Sequence, residues 1–188
     1  CARAGKAVFC EKPIDLDADR VRACLAVVEA CNAPLMVGFN RRFDPHFMEL
    51  KAAIDDGRIG TPEMGVITSR DPGAPPADYI RRSGGIFRDM MIHDFDMAVF
   101  LMGGLPETVM ASGSVLTDPD IEQLGDYDSA TAILRWADGR QLAISNSRRA
   151  VYGYDQRIEI HGAQGMVAAQ NEYPVNIEIA TAAGYTRP

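Results

Sequence analysis

Three polar side chains, Asp89, His93 and Asp96, lie on one stripe of an otherwise apolar segment, residues 85–102. In a helix they fall within about 60° of each other, and Asp89 and His93 are spaced i, i+4, so their side chains can meet. A histidine beside a carboxylate titrates near neutrality, and such a pair can serve as a general base and its orienting group. The alternative is that the two side chains only satisfy each other inside a buried helix.

Basic side chains follow two apolar segments that are typical of buried strands. Lys12 follows residues 7–10, and Arg41 and Arg42 follow residues 35–39. In open α/β sheets, ligands bind at the carboxyl ends of strands, so Lys12 is a candidate site residue, although a solvated surface lysine would show the same pattern. The bond between Lys12 and its following proline is a candidate for the cis form. One arginine can anchor a hydroxyl-rich or anionic ligand, and the other is then a surface or interface charge.

The elements that position these side chains begin with a strand–helix–strand unit. Between the two strand-like segments, Asp15 or Asp17 can cap a helix that ends near Cys31. Parallel strands joined by a helix are typical of an α/β sheet. The first forty residues therefore predict the end of a doubly wound sheet.

The rest of the chain predicts an α+β domain. A second helix over residues 45–56, a strand over 62–70 and a proline-rich loop precede the helix over 85–102. Further strands are predicted over residues 108–116, 128–136, 140–147, 156–161 and 166–170. Asp138 and Gly139 between two of these strands favour a hairpin, so we expect a mainly antiparallel sheet. The predicted division is a first domain over 1–40 and a second over 41–188.

Composition excludes several classes of protein. The 188 residues carry a net charge of −7, and their isolated arginine pairs are too small for a nucleic-acid or membrane-surface binder. No apolar run approaches the roughly 20 residues that cross a bilayer. The four cysteines form no C-x-x-C pair, which argues against a zinc knuckle or redox motif. We expect reduced, buried thiols in a cytoplasmic protein.

Three motifs occur in one order along the chain. They are Glu11-Lys12-Pro13, then Gly-Phe-Asn-Arg-Arg-Phe at residues 38–43, then Gly-Gly-Ile-Phe-Arg-Asp-Met-Met-Ile-His-Asp-Phe-Asp at residues 84–96. Together they resemble the Gfo/Idh/MocA family of NAD(P)-dependent oxidoreductases, and the similarity spans essentially the whole chain. The resemblance implies an α/β fold, in which the C-terminal part of a Rossmann domain is followed by an α+β substrate domain with an open, mainly antiparallel sheet.

The resemblance also implies an activity, the oxidation of a secondary alcohol to a ketone. The segment Ser69-Arg70-Asp71-Pro72 is similar to that of members acting on inositol, which implies conversion of myo-inositol to 2-keto-myo-inositol. A related sugar or cyclic polyol stays open as the substrate. The implied cofactor is NAD, and NADP stays open because no ribose-reading segment is present.

Residue roles follow from the same resemblance. His93 would take the hydroxyl proton as general base, Lys12 would hydrogen-bond the same oxygen, and Asp89 would orient His93. The other implied contacts are Arg41, Asp71 and Asp96 with the substrate, and Glu11, Lys12 and Pro13 with the cofactor. No metal is implied. Assembly as a homo-oligomer, a homotetramer, through the open sheet is also expected.

One departure from the family pattern concerns the cofactor. The chain contains no G-x-G sequence, the start of the turn that cradles a pyrophosphate. We therefore expect that most of the Rossmann domain and the end of the substrate domain lie outside this sequence, and that these residues alone do not bind NAD tightly.

Two alternatives from other classes remain. The adjacent His93 and Asp94 resemble the pair of HD-type metal-dependent phosphohydrolases, which need further histidines and an all-helical fold. The second alternative is a non-catalytic assembly module, in which the open sheet mediates contacts between subunits and the polar residues catalyse no reaction.

Overall fold

The first part of the chain is a parallel strand–helix–strand unit, as predicted. In the computed structural model, which describes residues 1–171, 179–181 and 184–186, strands β1 (Val8–Cys10) and β2 (Leu35–Val37) pair in parallel. Helix α1 (Ala18–Ala30) connects them, and the Asp17 carboxylate caps it by accepting hydrogen bonds from two backbone amides. A short 3₁₀ turn, Ala2–Ala4, precedes the unit.

The prediction that these strands and the cysteines are buried is wrong. The middle residues of the strands, Phe9 and Met36, are exposed, and so are Cys1, Cys24 and Cys31. Cys10 is half-buried. The physical reason is that the described part of this unit has two strands and one main helix, too few elements to cover both faces of the sheet. All four thiols are free, as expected.

Helix α2 connects this unit to the second part of the chain. A 3₁₀ turn, Asn40–Phe43, follows β2 and leads to α2 (Pro45–Asp55), which the Asp44 side chain caps. The helix predicted over residues 45–56 is confirmed, and its buried residues, Phe47, Leu50, Ala53 and Ile54, recur at helical spacing.

A six-stranded sheet forms the centre of the second part. Its strands are β3 (Pro62–Arg70), β4 (Thr108–Ser114), β5 (Ser129–Arg135), β6 (Gln141–Ser147), β7 (Asp155–Gly162) and β8 (Gly165–Ala169). The spatial order is β4-β5-β6-β3-β7-β8, and every neighbouring pair is antiparallel except β3 and β6. This confirms the expected mainly antiparallel sheet.

The end of the predicted second domain is only partly described. Strands β9 (Ile179–Thr181) and β10 (Gly184–Thr186) form a separate antiparallel pair. Residues 172–178, 182–183 and 187–188 of that domain lie outside the described residues.

The two faces of the six-stranded sheet differ in how far other elements of the chain bury them. On β5, Ala130, Ala132 and Leu134 are buried while the residues between them are exposed. The buried face packs against helices and holds the core, which includes Ile67, Leu142, Ile144, Ile158 and Ile160. The opposite face, called here the open face, exposes Met64, Val66, Met110, Ile133 and Met166.

The helix predicted over residues 85–102 is two helices, and the single-helix prediction is wrong. After α3 (Ala77–Ser83), helix α4 (Gly85–Asp89) ends at Asp89, and α5 (Met91–Met102) begins after Met90. Helix α6 (Pro119–Gln123) lies between β4 and β5. The cause of the break is a contact made by Lys12, described below.

Gly85 permits a close contact at the start of α4. Its φ is +78°, and a Cβ there would lie 2.5 Å from Oδ1 of Asp126, the atom that accepts a hydrogen bond from the Ile86 amide. Glycine is therefore required at this position by both backbone conformation and space.

We predict that Gly85→Ala destabilises the chain more than Gly125→Ala. Gly125 also has a positive φ, +71°, but nothing lies within 4 Å of its Cβ position. Gly125→Ala should cost only the backbone strain, about 1–2 kcal/mol. Gly85→Ala should cost at least about 1 kcal/mol more, because Asp126 must move and leave the Ile86 amide without its acceptor. Urea unfolding of both variants measures the difference, and equal losses would contradict the prediction.

Candidate active site

Lys12 reaches from the end of β1 to the end of α4. The peptide bond between Lys12 and Pro13 is cis. Lys12 Nζ donates to the Asp89 carboxylate at 3.1 Å and to the Asp89 backbone carbonyl at 2.8 Å. Both side chains are largely buried, at 16% and 14% exposure, so the ion pair is shielded from most of the solvent.

This contact explains why the helix breaks after Asp89. In a continuous helix, the Asp89 carbonyl would accept a hydrogen bond from the His93 amide. Here the carbonyl accepts from Lys12, and the His93 amide donates to the carbonyl of Met90 instead. The lysine thus satisfies a carbonyl that α4 leaves free at its last residue.

Because the helix breaks after Asp89, the described contacts include no hydrogen bond between Asp89 and His93. Their i, i+4 spacing in a continuous helix would have brought the two side chains together. Asp89 Oδ1 accepts from Lys12 and from the Tyr79 hydroxyl, the latter at 2.7 Å. The hydrogen bond to Asp89 raises the pKa of Tyr79. Asp89 still acts on His93 through charge, because its carboxylate opposes the other influences on the imidazole.

His93 is held in its neutral form. Burial of the ring is the largest cause that lowers its pKa, the nearby cations Arg41 and Lys12 add to this effect, and Asp89 opposes it, so that the pKa falls to about 4. The ring packs edge-on against Phe39, with 6.3 Å between ring centroids. Its Nδ1 is buried without a hydrogen-bond partner among the described residues. A neutral imidazole at pH 7 can accept a proton from a bound group.

Arg41 is fixed by a fully buried carboxylate. Its Nη1 donates to Asp94 Oδ1 at 2.5 Å and to the Ser69 hydroxyl at 3.2 Å. Asp94 has no exposed surface, and it also accepts from Ser69 at 2.6 Å and from Asn146 at 2.7 Å. This set of donors allows an ionised carboxylate to be buried, and it holds Arg41 in one orientation.

These groups border one cavity of about 450 Å³. Five of the residues predicted for the site line this cavity, and it is also lined by Asn40, Met90, Tyr154 and Gln156. The predicted five are Lys12, Arg41, Asp71, Asp89 and His93. Residues from both parts of the chain thus converge on one space.

Asp71 contributes a carboxylate to this cavity. Burial raises its pKa, as do the charges of Asp89 and Asp94, while Arg41 and Arg148 lower it. The backbone of Asp71 is held by Ser147 and Ala150 in the loop that follows β3. The side chain makes no hydrogen bond with the described residues, so its oxygens can accept one from a ligand.

Asp96 does not join the cavity, and its prediction as a substrate contact is not supported by the geometry. The Arg42 guanidinium holds it through two hydrogen bonds of 2.9 and 2.6 Å, and also stacks over Phe100 at 5.0 Å. Asp96 borders a different hollow, beside β2. The Asp96 carboxylate stays out of the cavity because it is already paired with Arg42, on the side of α5 that faces the first unit.

The three residues predicted to contact a cofactor, Glu11, Lys12 and Pro13, do not all border the same hollow. Lys12 and Pro13 border a second hollow together with Tyr79 and Asp89. Glu11 is exposed, and its carboxylate lies over Gly38, where a Cβ would come within 2.8 Å. Only Lys12 of this motif reaches the cavity with His93.

Sequence reasoning missed several residues of the site. Tyr79, Tyr154, Gln156 and Arg148 carried no periodic or motif signal, and Asp94 was considered only as half of a His–Asp pair. Lys12 and Asp89 are 77 residues apart, as are Ser69 and Asn146, so no local spacing indicates such contacts. The proline-rich loop before Tyr79 was the one visible sign of an irregular segment near the site.

A nicotinamide dinucleotide does not fit the residues of this chain alone. The chain has no G-x-G turn, and the first unit has only two parallel strands in the described part. The pyrophosphate and ribose of such a cofactor would therefore find no cradle here.

The chain is similar to known proteins along its whole length. A family model described as the GFO/IDH/MocA C-terminal domain matches residues 47–168. The chain therefore belongs to the GFO/IDH/MocA family. It is 70% identical over 187 residues to inositol 2-dehydrogenase of Rhizobium meliloti strain 1021, covering 100% of this chain and 57% of the relative.

Solved structures show the same similarity. A myo-inositol dehydrogenase from Corynebacterium glutamicum is 44% identical with a TM-score of 0.92, and covers 100% of this chain and 56% of its own. A scyllo-inositol dehydrogenase from Lactobacillus casei, solved with bound NAD(H) and scyllo-inositol, is 32% identical with a TM-score of 0.85, and covers 99% and 57%. The chain thus spans little more than half the length of these relatives.

The phosphohydrolase alternative is excluded by the fold, since the six-stranded sheet is incompatible with an all-helical domain. Among the residues that the structure describes, no group of three or more His, Cys, Asp or Glu side chains is placed to hold a metal ion. None of the described helices is long and apolar enough to cross a membrane.

We predict that removing either nearby cation raises the pKa of His93 toward its ordinary value of 6.5. Arg41→Met and Lys12→Met should each move the imidazole titration to higher pH, measured by proton NMR of the chain. Arg22→Met, which removes an exposed arginine on α1, is the matched control and should leave the titration unchanged.

The lowered pKa of His93 also makes the stability of the folded chain depend on pH. Because the pKa of His93 is lower in the folded state than in the unfolded state, the unfolded state binds more protons between about pH 6.5 and pH 4. His93 therefore lowers stability as the pH falls through this range, and the two cation variants should weaken this loss. A His93 titration at its ordinary pH in the unmodified chain would contradict both expectations.

Proposed function

We propose that this chain forms the substrate side of an NAD-dependent dehydrogenase that oxidises a ring hydroxyl of a cyclic polyol, with myo-inositol and its C2 hydroxyl as the first choice. The observation that carries the proposal is the convergence of Lys12, Asp89 and His93 on one cavity. The inositol dehydrogenases among the relatives support this choice of substrate.

Alcohol oxidation requires a group that removes the hydroxyl proton as the hydride leaves. His93 is the base in this proposal, because its imidazole borders the same cavity as Lys12 and is neutral at pH 7, so that a ring nitrogen can accept the proton. Lys12 supplies a positive charge to the same oxygen, where negative charge develops in the transition state. Asp89 holds Lys12 through its carboxylate and its backbone carbonyl.

The remaining polar groups of the cavity can recognise the other hydroxyls. Arg41 is held in place by Asp94 and presents fixed donors, while Asp71 offers acceptor oxygens. A donor and an acceptor on one wall suit a ring with several hydroxyl groups. The exposed ring of Tyr154 and the Gln156 amide add contacts at the rim. A related sugar remains the second candidate substrate, since its ring also carries several neighbouring hydroxyl groups.

The cofactor in this proposal is NAD, whose nicotinamide ring would supply the hydride acceptor. Its dinucleotide-binding residues would come from a segment outside these 188 residues, since the relatives are longer and this chain lacks the glycine-rich turn.

Assembly and location are also part of the proposal. The open face exposes Met64, Val66, Met110, Ile133 and Met166, an apolar set that a second copy of the sheet could cover. We propose a homotetramer built through this face. Four free thiols fit a reducing compartment, and we propose the cytoplasm.

The first test is activity of the full-length protein that contains this chain. We expect NAD reduction with myo-inositol, measured at 340 nm against a panel of cyclic polyols and sugars. Reduction with none of them would contradict the proposal, and a preference for a sugar would favour the second candidate.

Within the active enzyme, His93→Ala should lower kcat by about two to four orders of magnitude, because the proton then has no acceptor. Lys12→Ala should cause a similar loss, whereas loss of Arg41 should appear mainly as a higher KM. His46→Ala, at an exposed position at the start of α2, is the matched control and should retain activity. Unchanged turnover of His93→Ala would remove His93 from the role of base.

The 188-residue chain by itself should not bind NAD. We expect no saturable binding of NADH up to about 1 mM by fluorescence, because the chain has no pyrophosphate cradle. Tight binding or turnover by a chain of verified mass would contradict this prediction.

A further inference from the structure

Arg148 is a buried cation beneath the site. Its side chain is only 1% exposed, and it follows β6 directly. Its Nη1 lies 2.8 Å from Asp126 Oδ2, and its Nη2 lies 3.8 Å from Asp89 Oδ2. Neither nitrogen makes an aligned hydrogen bond within the described residues, so charge carries the attraction to both carboxylates.

The two carboxylates lie at opposite ends of α4, one as a contact from the segment between α6 and β5 and the other as part of the helix. Asp126 Oδ1 accepts from the Ile86 amide at 2.8 Å, in the first turn of the helix. Asp89 is the last residue of the same helix. One guanidinium therefore holds both ends of this five-residue helix. A helix this short does not keep its position without such tertiary contacts.

The contacts of Asp89 are divided between its two oxygens. Oδ1 accepts from Lys12 and Tyr79, while Oδ2 faces Arg148. Arg148 thereby limits rotation of the carboxylate, so that Oδ1 keeps facing Lys12. A carboxylate that rotated freely would release Lys12 from the position in which its Nζ faces the cavity.

We propose that Arg148 is a positioning residue that acts on the reaction through Asp89, and so sets the placement of Lys12. The inference rests on the proposed function of the site. Arg148 does not line the cavity, and no role in substrate contact is assigned to it.

The competing explanation is that Arg148 serves only the stability of the fold. Both explanations predict a less stable protein when the arginine is lost, because a buried partner of two carboxylates is removed. They differ in kinetics. A stabilising role alone leaves kcat per folded molecule unchanged, whereas a positioning role lowers kcat and depends on the presence of Asp89.

The test is a double-mutant cycle in the full-length protein with NAD and myo-inositol. The variants are Arg148→Gln, Asp89→Asn and the double variant, with kcat and KM measured on protein shown to be folded by circular dichroism. We expect Arg148→Gln to lower kcat by about 10- to 100-fold with KM changed less than about threefold. In the Asp89→Asn background, Arg148→Gln should lower kcat by less than about twofold, because its effect passes through Asp89.

Two further variants keep the test decisive. Arg148→Lys retains the charge and should recover at least part of the lost kcat, and it substitutes for Arg148→Gln in the cycle if the latter does not fold. Arg149→Gln removes the exposed neighbouring arginine and should leave kcat unchanged.

Additive losses of kcat in the cycle, or a kcat of Arg148→Gln equal to that of the unmodified enzyme, would overturn the inference while the proposed function stands. Absence of polyol-dependent NAD reduction in the unmodified protein would instead overturn the proposed function. The two failures are therefore distinguishable.

Discussion

Three cation–carboxylate pairs join the first strand–helix–strand unit to helices α4 and α5, and the geometry of the site depends on them. The pairs are Lys12–Asp89, Arg41–Asp94 and Arg42–Asp96. In each pair the cation follows a strand of the first unit and the acid lies on one of the two helices. The middle pair is the most constrained, because Asp94 is fully buried and removal of one partner from such a pair costs about 3–5 kcal/mol.

The same pairs decide the chemistry that the cavity can support. Lys12 takes the carbonyl that would have continued α4, so the helix ends at Asp89 and His93 begins a separate turn. The cations needed for the pairs also lie close enough to His93 to lower its pKa. Burial of the ring remains the largest cause of the lowered pKa, and the cations of these pairs add to it. Paired carboxylates compensate the cost of placing these cations in a partly buried site.

The six-stranded sheet provides the rigid support for this arrangement. Its buried face packs against α4 and α5 through Ile67, Ile144 and Ile158, and the loop after β6 brings Arg148 beneath the site. Ser69 and Asn146 stand on this face, and both hold the Asp94 carboxylate. On the open face, the apolar Val66 lies opposite Glu159, whose carboxylate contacts His161.

The sequence by itself determined most of the elements and indicated five of the residues that line the candidate site. Alternating and helical patterns predicted β5 and α2, and short motifs led to Lys12, Asp89, His93, Arg41 and Asp71, all of which border one cavity. Periodicity failed at Met90, where a continuous apolar pattern conceals a helix break, and at Asp96, whose stripe position did not reveal its pairing with Arg42. Only the tertiary structure decided these points and the contacts of Asp94 and Arg148. Their partners lie far away in sequence, and the energy of a buried charge depends on which groups the fold brings beside it, a quantity that local spacing does not contain.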